Sequence, residues 1–287
     1  MINYNSSVAL RAFLEQEGLG MRKKFGQNFL ISPTVRQALV KALNCENGDE
    51  VWEIGPGLGA MTTLLLEKGL TVQAFEIDDG FIRLLKQIFA QEKNFSLIEG
   101  DVMKTWLGQK PAQFLLGNLP YNIAAALLAE LIENGRLFKR IVVTVQKEVA
   151  LRMTASAGSR DYSSFSVLCS SFYRVKPLML IRPSSFYPQP NVDSMGVLLE
   201  SRNNDLSVPK IIFPLVRSLF SSRRKTIKNN LTGFIASRAG HFPAASSAQD
   251  VCAAVLRENT IAENERAENL ETEVFLSLAK SIENMRL

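Results

Sequence analysis

The sequence predicts an α/β fold: a parallel sheet covered by helices on both faces, followed by a small all-helical C-terminal domain. Three observations carry this prediction. Apolar strand-like runs alternate with helix-like runs between residues 51 and 146, the pattern of βαβ units whose strands are buried on both faces. A glycine-rich turn, EIGPGLG (53–59), lies where the first strand hands over to a helix. From Pro209 onward only helical periodicity is found.

The elements follow in order. Residues 1–20 contain Arg11, Glu15 and Glu17 and no sustained apolar core. They are read as a flexible leader and not as a signal peptide. Val35, Ala38, Leu39 and Ala42 recur at helical spacing, Asn47-Gly48-Asp49 is a turn, and VWEIG (51–55) is a strand. A helix through MTTLLLEKG ends at Gly69. TVQAFEI (71–77) is the next strand, and Asp78 caps the helix FIRLLKQIF. FSLIEGD (95–101), FLLGN (114–118) and IVVTVQ (141–146) are further strands. After Pro177, prolines stand among extended segments, as in a late hairpin or edge strands. Ile211, Ile212, Leu215, Val216, Leu219 and Phe220 form one helical stripe, and Ile227, Leu231, Phe234 and Ile235 another. The expected organisation is a leader over 1–20, an α/β domain over 21–203 and a helical domain over 204–287, with the boundary near 202–208.

Composition narrows the chemistry. No apolar run approaches the ~18 residues of a membrane span. Cys45, Cys169 and Cys252 are far apart and His241 is the single histidine. Reduced core thiols in a cytosolic protein are therefore expected, with no metal site and no Ser-His-Asp mechanism. The net charge is +5. Residues 202–240 carry eight Lys/Arg against one Asp/Glu, whereas 241–287 carry four against eight. This segregation suits a face that meets phosphate, and it also suits a solvated helix surface.

The glycine turn and two acids form one group. Glu76 lies 21 residues after Gly55, at the end of the next strand, where an acid holds two ribose hydroxyls. Asp101 follows the third strand and is placed to accept from an adenine amine while the Val102 backbone reads the ring edge. Each acid also has a plain reading, Asp101 as a helix cap and Glu76 as a solvated strand end. The loop is G-P-G-L-G, preceded by Glu53, and Pro56 removes an amide that a pyrophosphate would need. An acidic, glycine-rich loop suits a ligand with an ammonium and a carboxylate, as in S-adenosylmethionine.

GNLPYNI (117–123) supplies the second group. The amide oxygen of Asn118 and the carbonyl of Leu119 are two acceptors for a planar NH2 group. Pro120 holds Leu119 extended, and Tyr121 offers a face for stacking a base. Such a pair of acceptors would aim an exocyclic amine's lone pair at a sulfonium methyl without a strong base. The plain alternative is a strand-ending turn with a packed tyrosine.

KKFGQNFL (23–30), EIGPGLGAMT (53–62), FEID (75–78), EGD (99–101), GNLPYNI (117–123), QKEVA (146–150), FYPQPNVDS (186–194) and RRKTIKNNL (223–231) stand in one order. This order resembles the small-subunit ribosomal RNA adenine dimethyltransferases, the KsgA/RsmA family, from about residue 20 onward. The resemblance implies a Rossmann-like, S-adenosylmethionine-dependent methyltransferase that places two methyl groups on each of two adjacent adenosines near the 3′ end of small-subunit rRNA, each base leaving its stack. It implies cofactor contacts at Asn28, Leu30, Gly55, Glu76, Asp101 and Asn118. It also implies a base sandwiched between Tyr121 and Phe186, and RNA phosphate contacts from Arg223, Arg224, Lys225 and Lys228. A cytoplasmic monomer acting in ribosome biogenesis is expected.

One departure is visible: the family often has Tyr-Gly before a strand resembling Ser166-Val167-Leu168, and here Ser163 takes the glycine position. Two rivals stand beside this reading. One is the large-subunit adenine methyltransferase of macrolide resistance, which tends to a shorter, more lysine-rich tail. The other is an RNA-binding assembly or transcription factor on the same scaffold.

Overall fold

The computed structural model describes residues 2–20, 26–202, 208–242 and 247–285. Lys23, Lys24 and Phe25 of the first family-like run, and 203–207 of the expected domain boundary, lie outside the described residues. The chain runs α1 (Ser7–Gln16), β1 (Phe29–Leu30), α2 (Pro33–Ala42), β2 (Glu50–Ile54), α3 (Ala60–Glu67), β3 (Thr71–Glu76) and α4 (Asp79–Ile88). It continues through β4 (Phe95–Glu99), α5 (Val102–Thr105), β5 (Phe114–Asn118), α6 (Ala124–Glu133), β6 (Arg140–Gln146), α7 (Lys147–Thr154) and α8 (Ser164–Phe172). Then follow β7 (Tyr173–Ile181), β8 (Phe186–Tyr187), β9 (Ser194–Ser201), α9 (Ile212–Phe220), α10 (Ile227–Ala236), α11 (Ala248–Glu258) and α12 (Thr272–Asn284).

Two compact units result: residues 1–150 with 175–201, and residues 151–174 with 202–287. In the first, seven strands are ordered β4-β3-β2-β5-β6-β9-β7. The block from β4 to β6 is parallel, and β9 joins β6 antiparallel. β2 and β5 are buried almost throughout, as expected of central strands covered on both faces. The five strands expected between residues 51 and 146 are all present, with FLLGN matching β5 residue for residue. Asp78 caps α4 as expected, its Oδ1 accepting from Gly80 N at 2.9 Å and Phe81 N at 3.4 Å. Gly69 ends α3 with φ 73° and an N–H donated to Leu66 O.

Three expectations need correction. The leader is structured: α1 is capped by Ser6, and Leu10 and Leu14 are buried against Leu58, Phe81 and Leu84. Its apolar residues are few but fall on one helical face, which suffices to seat one short helix. The run holding Ser166-Val167-Leu168 is helix α8, not a strand. A capping box between Ser163 and Ser166 starts it. Ser163 has φ −153°, an ordinary extended value, so the position makes no demand for glycine.

The third correction concerns the grouping of the chain. Segment 151–174 belongs with the C-terminal helices, because Tyr162 and Val167 sink into the same core as Leu215, Leu231, Val255 and Phe275. The Tyr162 hydroxyl donates to Leu270 O at 2.9 Å. The two helical stripes seen in the sequence are buried in this core, with Phe220 partly so.

Candidate active site

A cavity of about 300 Å³ opens at the carboxyl ends of β2, β3 and β5. The chain order reverses direction between β2 and β5, and ligands of open α/β sheets bind at such a switch point. The volume lies within the ordinary range for a small-molecule site, roughly 300–1,000 Å³.

The glycine loop shapes one wall. Gly57 has φ 58°, and a Cβ there would lie 3.0 Å from Cε1 of Phe29. Only glycine lets the loop take this turn with β1 pressed against it. Its N–H donates to Glu76 Oε2 at 3.1 Å. Glu76 Oε1 accepts from the N–H groups of Ile77 and Asp78, each at 2.9 Å. Glu76 is therefore a buried, backbone-held carboxyl on the cavity wall, and not a solvated strand end. Burial pushes its pKa up to about 7, against the three backbone hydrogen bonds. Glu53 sits behind it with no exposure. Its Oε2 accepts from Thr62 Oγ1 at 2.6 Å, while Oε1 is buried without a partner. Burial raises this carboxyl to about 7 as well, and the nearby Glu76 adds to the rise.

Asp101 lines the cavity and caps α5, accepting from Met103 N at 3.0 Å. The cap reading is thus observed, and the carboxylate also faces the cavity lining. Asn28 and Leu30 come to the same cavity through β1, whose two residues pair antiparallel with β8.

Asn118 ends β5 on the cavity rim. Its Nδ2 donates to Asn28 O at 2.6 Å. Its Oδ1 accepts from the hydroxyl of Thr144, its register partner on β6. The carboxamide is thereby clamped in one orientation, and Oδ1 keeps a second lone pair. Leu119 N donates to Thr144 O at 3.2 Å, and Pro120 O accepts from Ile123 and Ala124 as the next helix begins. Leu119 itself is buried. The Tyr121 hydroxyl bonds Ser194 Oγ at 2.6 Å, which ties its ring to the start of β9. Burial raises the phenol pKa and the Ser194 contact opposes the rise.

The Phe186 side chain is almost fully buried, so it offers no open face to a base beside Tyr121. It packs in the core cluster with Leu30 and Leu39 and, like Tyr121, is not among the cavity-lining residues. Pairing with Leu30 across β1–β8 sets this face, because adjacent strand residues alternate sides.

The four basic candidates lie in the second unit, in the turn before α10 and in its first turn. Arg223 Nε donates to Glu268 at 2.7 Å and Lys228 Nζ to Glu263 at 2.6 Å. Arg224 and Lys225 are exposed and have no acidic partner among the described residues.

The site also contains groups the sequence reading passed over. Thr144 and Ser194 hold Asn118 and Tyr121, and Tyr4, Leu10 and Arg36 line the cavity. Thr144 carried a signal: it is the hydroxyl in an otherwise apolar strand, IVVTV. Among the described residues there is no cluster of three or more His, Cys, Asp or Glu able to hold a metal ion. No helix there is long and apolar enough to cross a membrane.

The family described as "Ribosomal RNA adenine dimethylase" matches residues 18–284. A protein of Treponema denticola named "Ribosomal RNA small subunit methyltransferase A" is 47% identical, covering 98% of this chain and 96% of its own. The crystal structure of a dimethyladenosine transferase from Plasmodium falciparum superposes with TM-score 0.73 at 28% identity, covering 89% of this chain and 98% of that one. The 23S rRNA methyltransferase ErmE shares the fold, with TM-score 0.64 at 18% identity over 88% of this chain and 99% of that one.

Proposed function

The chain belongs to the ribosomal RNA adenine dimethylase family, and from that premise we propose that it dimethylates two adjacent adenosines near the 3′ end of small-subunit rRNA during ribosome biogenesis. S-adenosylmethionine is the methyl donor, and when bound it supplies an electrophilic methyl on a sulfonium. The observation that carries the reading is the clamped Asn118 carboxamide on the rim of the cavity that Glu76 and the glycine loop enclose. The relative named for the small subunit is 47% identical, so the large-subunit alternative is not favoured.

The cavity suits the donor. Glu76 is a buried acceptor whose remaining lone pairs suit a ribose diol, and the Asp101 carboxylate on the same cavity suits an adenine amine. Gly55 and Gly57 allow a close main-chain approach, and Asn28 and Leu30 line the same cavity. Asn118 Oδ1 accepts from the target amine through the lone pair that Thr144 leaves free, and the carbonyl of Leu119 supplies a second acceptor. Together they draw the amine towards a tetrahedral shape. Bound S-adenosylmethionine would supply the methyl carbon to the amine's lone pair, its C–S bond breaking to leave S-adenosylhomocysteine, and the amine would give its proton to solvent. Positioning and electrostatics do this work. Tyr121 stacks the flipped base, with its ring held by Ser194. Arg223, Arg224, Lys225 and Lys228 meet RNA phosphates. The setting is cytoplasmic and the chain acts as a monomer.

Unmethylated small subunits incubated with labelled S-adenosylmethionine and the protein, then digested to nucleosides, should yield labelled N6,N6-dimethyladenosine. Label in another nucleoside, or in large-subunit RNA alone, defeats the proposal.

A further inference from the structure

We propose that Arg36 is a positioning residue of the donor cavity, latching residues 2–20 across it as a wall that tightens on the bound ligand. This rests on the reading of the cavity as a methyl-donor site.

The N-terminal segment contributes directly to the cavity, through Tyr4 and Leu10. It is seated on the very loops that shape the site. Leu10 and Leu14 pack on Leu58 of the glycine loop and on Phe81, in the first turn of α4 beyond Glu76. Gly80 makes room for this seat, because a Cβ there would stand 2.7 Å from Cδ2 of Leu19. The Tyr4 hydroxyl donates to Leu58 O at 3.0 Å.

Arg36 ties this segment down. It is a charged residue in α2, only 5% exposed, among the buried Leu39 and Val40. Nη1 donates to Leu30 O at 2.5 Å and to Tyr4 O at 3.3 Å, and Nη2 donates to Asn5 Oδ1 at 2.5 Å. One guanidinium thus joins β1, which reaches the cavity, to the start of the N-terminal segment. All three acceptors are neutral. No carboxylate pairs with Arg36 among the described residues, its Nε is buried without a partner, and burial lowers its pKa. A buried cation lacking a counter-charge is costly. Packing alone would be served as well by an apolar residue at this place in α2. The guanidinium instead makes a joint that fixes two main-chain segments relative to the ligand.

The test uses S-adenosylhomocysteine as probe, with hydrogen exchange and calorimetry. In the wild-type chain, saturating probe should slow exchange of the amides of 7–16. Arg36→Met should abolish that gain and raise the Kd for the probe about tenfold, one decade in binding, while affinity for small-subunit RNA stays unchanged. Arg36→Lys, which keeps charge but not the fork, should recover only part of the affinity. If Arg36→Met does not fold, Asn5→Ala, which removes the Nη2 acceptor, decides, with the same direction and a smaller size. Wild-type affinity in the variants, or equal ligand protection of α1, overturns the latch and leaves the donor site standing. A wild-type chain that does not bind the probe overturns the donor reading, and the latch with it.

Discussion

Asn118 and Asn28, 90 positions apart in the chain, are joined by a 2.6 Å hydrogen bond from the side-chain amide of one to the backbone carbonyl of the other. With Thr144 on the opposite side, this bond decides which way the carboxamide oxygen faces. The proposed chemistry depends on that orientation, since only the oxygen accepts from an amine.

Asn118→Ala should therefore lower single-turnover methyl transfer by ~10²–10³, the usual effect of deleting a positioned electrostatic group. Affinity for small-subunit RNA should stay within about twofold, because phosphate contacts dominate it. Loss of RNA binding alongside transfer would show that Asn118 is structural.

Thr144→Val tests the clamp itself. The side chain is fully buried and valine fills nearly the same volume, so the fold should survive with a modest loss from the unpaired Asn118 oxygen. Transfer should drop by roughly tenfold through misorientation of the amide. Thr144→Ser, which keeps the hydroxyl, should restore most of it; equal rates in the two variants would refute the clamp.

Tyr121 separates ring from hydroxyl. Tyr121→Phe removes the bond to Ser194 and keeps the stacking face, so transfer should fall by less than about tenfold. Tyr121→Ala removes a stacking surface worth ~1–3 kcal/mol per base and should cost far more. Equal losses in both would point to the hydroxyl as the essential group.

Glu53 and Glu76 impose a pH dependence. Burial raises both to about 7 in the folded chain, against ~4.3 for an unperturbed glutamate. Between those values the folded state holds more protons than the unfolded one, so these two groups make stability fall as pH rises from about 4.5 to about 7. Glu53→Gln, which cannot ionise, should gain stability relative to wild type across this window, as seen in denaturant midpoints; a constant difference across pH would contradict the assignment. Ligand donors favour ionised Glu76, so affinity for S-adenosylhomocysteine should rise with pH and level off above about 7. Calorimetry in buffers of different ionisation enthalpy should report proton release on binding.

Arg224 and Lys225 are better probes of the RNA face than Arg223. Reversing Arg223 would set an acid against Glu268 and disturb the turn, whereas Arg224 and Lys225 have no acidic partner among the described residues. Arg224→Glu with Lys225→Glu should weaken RNA binding and reduce the salt slope by ~0.7–0.9 per lost phosphate contact. An unchanged slope would remove both from the interface.

The chain's local patterns determined a good deal unaided. Strand and helix periodicity, the Asp78 cap, the positive-φ glycine loop and the placing of Gly55, Glu76, Asp101 and Asn118 at strand ends all follow from neighbours within a few residues. Such features are set by backbone sterics and side-chain alternation, which a linear reading can see. Tertiary structure alone decided the rest. Phe186 turned into the core because β8 pairs with β1; Asn118 was oriented by Thr144 and Asn28; the N-terminal segment became a cavity wall through Arg36. Each outcome depends on a contact closed over six to 156 positions, the longest being Leu30 with Phe186. The energy of such a contact lies in which groups meet, and sequence spacing does not encode that meeting.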